Sequence, residues 1–134
     1  MKIELAISCV VMAGSLGAAG WAAADEAVEK SGKIRFDQYC AVCHGTSAKG
    51  DGPFANLLTT RPADLTTLAK RNNGEFPFGR AYDTIDGRNM LTAHGTIDMP
   101  IWGREMKEAG LGGETALRGR LVETLVYLRA IQEK

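Results

Sequence analysis

Apolar residues recur at helical spacing in two places far apart along the chain. Near the end, Leu117, Leu121, Leu125, Leu128 and Ile131 fall on one stripe, while Arg118, Arg120, Glu123 and Arg129 fall elsewhere, which predicts an amphipathic helix with one buried face. Upstream, Val28, Gly32, Phe36 and Tyr39 repeat the spacing and predict a second helix running toward Cys40. Gly32 brings no side chain to that apolar face, so the last helix can cross closely there, through Tyr127 or Leu128. Between these two helices, Gly and Pro punctuate the chain at Gly45, Gly50, Gly52, Pro53, Pro62, Gly87 and Pro100, and long sheets are not expected. Asp64 is placed to cap a short helix over 65–71 with Gly74 near its end, and a second short helix over 80–86 would stop at Gly87. Asn72, Asn73 and Gly74 read as a turn. The pattern predicts an all-α domain whose crossing terminal helices are joined by short helices and loops.

The N-terminal stretch has a different character. After Lys2 and Glu4, residues 5–24 carry no charge, and Ala22, Ala23 and Ala24 stand before Asp25 with the small-residue shape of a signal peptidase site. The expectation is a signal peptide over residues 1–24 and one domain over 25–134. Uncleaved, the segment is long enough to span a bilayer, and membrane contact is expected only in that case. Cys9 then belongs to the hydrophobic region of the leader. The 16 basic and 16 acidic side chains balance, and losing Lys2 and Glu4 keeps them level, so the chain lacks the cationic signature of a nucleic-acid binder.

Cys40, Ala41, Val42, Cys43 and His44 form a C-x-x-C-H run, the attachment signature of a covalently bound c-type haem. Two thiols so spaced can each add across a haem vinyl group, and the adjacent imidazole then stands under the iron as proximal ligand. A structural zinc site would want a second cysteine pair, which the sequence lacks. A thioredoxin-like centre would follow a strand, whereas the upstream residues are helical in pattern. The expected cofactor is therefore one covalent haem c. It would supply apolar core that so small a domain lacks, with the loops wrapped around a flat disc.

The iron also needs a sixth ligand or an open site. Met99, followed by Pro100, Ile101, Trp102 and Gly103 in an irregular stretch, lies far enough beyond His44 to reach the opposite haem face, and the proline would stiffen its loop. Met90, Met106 and His94 are the competing donors. Met106 sits in a more helical, charged setting, and any lone methionine can simply fill core.

These residues together resemble a class I c-type cytochrome of the small, single-haem bacterial kind. Gly32 and Phe36 are similar to the family's first-helix contacts, Cys40, Cys43 and His44 to its haem site, Met99 with Pro100 to its methionine loop, and residues 125–128 to its closing helix. The resemblance implies a cytochrome c-like fold with crossing N- and C-terminal helices and loops around one haem. It also implies that His44 donates its second ring nitrogen to a proline carbonyl, that of Pro62 rather than Pro53. Trp102 would pack beside the haem or donate to a propionate; Arg61, Arg80 and Arg88 are candidate propionate partners by charge alone, a solvated surface role being the expected one for any single arginine.

The function expected from this is a periplasmic one-electron carrier with His/Met ligation, not an enzyme. Its partners would be redox proteins: a donor dehydrogenase and an oxidase or other cytochrome as acceptor, or a dehydrogenase of which the chain is the cytochrome subunit. The alternative is a haem enzyme or gas sensor with an open or displaceable distal site, for which His94 is the one available distal histidine.

Overall fold

The computed structural model of the 134-residue chain describes residues 15–88 and 99–133. Its helices are α1 (Ser15–Tyr39), the single turn α2 (Ala41–His44), α3 (Phe78–Asp86), α4 (Trp102–Glu108) and α5 (Glu114–Ala130), with three short 3₁₀ turns between α2 and α3. No strand occurs among the described residues, so the chain is all-α as its apolar spacing predicts. α1 runs unbroken across the Ala24–Asp25 junction, and no helix among the described residues is long and apolar enough to cross a membrane. Cys9, Met90 and His94 lie outside the described residues.

The core forms where α1 crosses α5. The expected stripe is the buried face of α5: Leu117, Leu121, Leu125 and Leu128 are at most 3% exposed, with Ile131 packed at the edge. Each such leucine contributes about 2 kcal/mol on leaving water. Phe36, fully buried, meets the Tyr127 ring at 5.4 Å between centroids. A Cβ at Gly32 would overlap the Glu123 carbonyl oxygen and stand 2.9 Å from Tyr127 Cβ, so the helices touch backbone to backbone. Arg35 Nε donates to Glu123 Oε2 at 2.5 Å beside this contact. Val28, one turn before the crossing, falls outside it and is exposed.

Gly32→Ala is expected to destabilise the protein by about 2 kcal/mol. Overpacking against an immovable carbonyl outweighs the ~1 kcal/mol that alanine's helix propensity returns. A denaturant titration checks this, and an unchanged midpoint would contradict so close a crossing.

The expected helix over 65–71 is instead two 3₁₀ turns, Leu65–Thr67 and Lys70–Asn72. Gln132, just beyond α5, supplies the reason. Its Oε1 accepts from Ala69 N–H at 2.8 Å and its Nε2 donates to the Leu65 carbonyl at 2.8 Å. Those two backbone groups are the i, i+4 partners of an α-helical turn, and the side-chain amide bridges them in place of their direct bond. Asp64 still caps, accepting from Thr66 N–H and Oγ1 at 2.8 and 2.6 Å, and Asn73 turns the chain at φ 55°. The helix expected over 80–86 begins two residues earlier, after Pro77, and stops at Gly87 (φ 64°) as expected.

α3 and α4 both pack on α5, and an ionic network closes their ends. Arg88 donates from Nε to Asp86 Oδ1 at 2.7 Å, and from both terminal nitrogens to Glu114 at 2.9 Å. Arg118 adds a 3.1 Å bond to Glu114. The guanidinium of Arg88, then that of Arg118, holds the Glu114 carboxyl down at about 2. A depressed carboxylate stabilises the fold fully above its unfolded value of about 4.3, and that contribution disappears as pH falls toward 2. The melting temperature is therefore expected to fall across this window, and Glu114→Gln to flatten that part of the curve. Parallel curves for the two proteins would contradict it.

Candidate functional site

α1 delivers the chain to Cys40, where one more helical turn carries the whole C-x-x-C-H run. Cys43 N–H and His44 N–H both donate to the Cys40 carbonyl, at 3.1 and 2.9 Å, so Cys40 and His44 are one turn apart on the same side. Both thiols are free and partly buried.

A four-residue helix leaves its carbonyls without helical partners, and the glycine-rich loop after it supplies donors for all of them. Gly45 N–H donates to Ala41, Phe54 N–H to Val42, Gly52 N–H to Cys43 and Gly50 N–H to His44, all between 2.8 and 3.1 Å. The loop can fold back this closely because Gly52 has no Cβ; one there would stand 2.6 Å from the Val42 and Cys43 carbonyl oxygens. Gly50 adopts φ 74° against the Pro62 carbonyl, where a Cβ would collide. The attachment turn is thus held by backbone rather than by large side chains.

His44 Nδ1 lies 3.0 Å from the Ala63 carbonyl oxygen. A carbonyl only accepts, so Nδ1 carries the proton and Nε2 presents its lone pair. Burial lowers the His44 pKa, a shift only partly opposed by the Ala63 bond, which favours the neutral ring. A neutral imidazole with a fixed tautomer is the state a metal ligand needs.

The acceptor corrects the expectation of Pro62 by one residue. Leu65 N–H donates to the buried Ala48 carbonyl at 2.8 Å, and this bond sets the register of 62–65 against the loop. In that register the Pro62 carbonyl faces Gly50 and the Ala63 carbonyl faces His44.

The thiol chemistry argues against a redox dithiol. Such centres work through a lowered thiol pKa. Here burial first, and the neighbouring Cys43 second, push the Cys40 thiol up to about 12. Among the described residues no group of three or more His, Cys, Asp and Glu side chains is placed to share a metal ion. The donor set does fit a c-type haem: two free thiols three residues apart, and an imidazole whose Nε2 is left for iron.

Met99 and Trp102 border the same core as Cys40. All three are partly buried and pack against it. The Trp102 ring meets the Tyr39 ring at 5.5 Å between centroids, which brings the start of α4 to the end of α1, next to Cys40. Met106, by contrast, is buried in α4 as core. Of the candidate propionate arginines, Arg88 has its guanidinium committed to Asp86 and Glu114. Arg80 reaches Asn72 Oδ1 at 3.5 Å, and Arg61 is exposed.

Around the attachment loop the buried residues are small: Ala48, Ala55, Thr66 and Ala69. Of the large apolar side chains there, Phe54 and Leu57 are 52% and 77% exposed, while Leu65 packs partly buried against the core. Ala63, Ala48 and the glycines of the loop were the functional positions sequence reasoning did not assign; the closely spaced Gly45, Gly50 and Gly52 were the signal available. The chain matches no protein-family model, no curated protein and no solved structure.

Proposed function

We propose that the chain is an exported one-electron carrier built around one covalent haem c, in a cytochrome c-like arrangement of crossing terminal helices and surrounding loops. The observation that carries this reading is the attachment turn, with Cys40, Cys43 and His44 on one helical turn and the His44 Nδ1 proton fixed on a backbone carbonyl. Cys40 and Cys43 would hold the haem covalently through their two sulfurs. His44 Nε2 would be the donor to the iron, its basicity raised by the Nδ1–H bond to Ala63. The Met99 thioether would be a second donor to the iron, and Trp102 would stand beside the group. The bound group supplies reversible ferric–ferrous chemistry, and a His/Met pair raises its reduction potential.

In this reading the polypeptide holds still. The backbone-capped loop keeps His44 in place, and Pro100 with the Tyr39–Trp102 contact restrains residues 99–103. Fixed donors limit reorganisation between oxidation states, which is what fast electron exchange requires. Partners are redox proteins docking in a small, transient interface: a donor dehydrogenase and an oxidase or cytochrome acceptor, or a dehydrogenase that keeps the chain as its subunit. The protein works in the periplasm after removal of residues 1–24.

Spectra of the ferric and ferrous protein test this reading. Low-spin haem c with the weak far-red ferric band of iron–thioether bonding, and slow or absent carbon monoxide binding, are expected. A high-spin ferric spectrum with rapid carbon monoxide binding would instead favour a catalyst or sensor with an open distal site. Mass spectrometry of the mature protein checks export, with Asp25 expected as its first residue.

A further inference from the structure

Asp86 is the buried carboxylate of the described chain, 5% exposed at the end of α3. Its Oδ1 accepts from Arg88 Nε, and both groups press on the backbone of Gly103: a Cβ there would overlap Asp86 Oδ1 and stand 2.5 Å from Arg88 Nε. Gly87, between the two, lies against Ile101, with Ile101 Cγ2 only 3.2 Å from where its Cβ would be. Residues 86–88 therefore form a seat for residues 101–103, and Glu114 fastens that seat to α5 through both terminal nitrogens of Arg88. Trp102 meets Tyr39 of α1. Asp86 is buried while the Arg88 side chain stays 26% exposed, and besides its charge attraction the pair fixes the register of the adjacent segment.

We infer that Asp86 and Arg88 are positioning residues for Met99: their ion pair seats Ile101 and Gly103, two and four residues beyond it, and so limits how far the thioether can withdraw from the haem iron. This rests on the reading of Met99 as distal ligand. The pair does not touch the iron. It biases an equilibrium between a bound and a withdrawn sulfur, which any competing ligand can measure.

The test is an imidazole titration of the ferric holoprotein, since imidazole competes with the Met99 thioether for the iron. Arg88→Gln and the milder Glu114→Gln are compared with the parent and with Arg35→Gln, which breaks an ion pair between α1 and α5 at the helix crossing. Apparent imidazole affinity is expected to rise about tenfold in Arg88→Gln and about threefold in Glu114→Gln, and to stay within about twofold of the parent in Arg35→Gln. Unchanged affinity in both network variants overturns the inference. An equal rise in Arg35→Gln also overturns it, because general loosening would then explain the effect. Should Arg88→Gln fail to fold, Glu114→Gln decides. The parent spectrum, taken before any titration, keeps the two claims apart: haem without the far-red band defeats the Met99 reading itself, whereas an intact band with flat affinities defeats only the positioning role.

Discussion

Cys40→Ala with Cys43→Ala is expected to leave a polypeptide with no covalent haem and no cooperative unfolding transition. The first outcome follows from chemistry, since each thioether needs its sulfur. The second follows from where the apolar core lies. The large buried side chains gather at the crossing of α1 and α5, around Phe36, Leu121 and Leu125, while around the attachment loop the fully buried residues are small, Ala48, Ala55, Thr66 and Ala69, with Leu65 partly buried. Such small buried side chains gain little from leaving water, whereas ordering the backbone costs about 1–2 kcal/mol per residue. Small domains hold only about 5–15 kcal/mol in total, so losing the apolar disc exceeds what the helix crossing can sustain. Circular dichroism melts of the double variant check this. A sharp transition near the parent midpoint would show that the polypeptide holds its fold unaided.

Met99→Ala is expected to lower the reduction potential by on the order of 0.2 V, a modest part of the ≈ 0.8 V range that axial ligands span. The thioether favours ferrous iron, so replacing it by water or by an exogenous donor stabilises the ferric state. The far-red ferric band should vanish and azide or imidazole should bind readily. Covalent attachment should survive, because Cys40 and Cys43 are untouched. Potentiometry with a parallel ferric spectrum measures both effects. A spectrum identical to the parent would remove Met99 from the ligand set.

Periodicity in the sequence was enough to find the helix crossing. Leu117, Leu121, Leu125 and Leu128 repeat at 3.6-residue spacing, and only a residue without a side chain could sit where Gly32 meets Glu123 and Tyr127. The C-x-x-C-H run was equally plain, since local spacing alone puts its three donors on one turn. What escaped depended on distant partners. The helix expected over 65–71 fails because Gln132, at the far end of the chain, bridges Leu65 and Ala69, and no local pattern carries that information. The His44 acceptor shifts from Pro62 to Ala63 through the single long-range bond between Leu65 and Ala48. Arg88 looked available by charge, yet Asp86 and Glu114 had to be folded beside it before its commitment was visible. Elements set by their own residues were legible; register set by tertiary hydrogen bonds was not.

A pyridine haemochrome assay on protein made in a host competent for cytochrome maturation, after acid–acetone extraction, tests the central claim most directly. The expected result is colour that stays with the polypeptide and the spectrum of one haem c per chain. Colourless protein, or haem that leaves with the solvent, would contradict it.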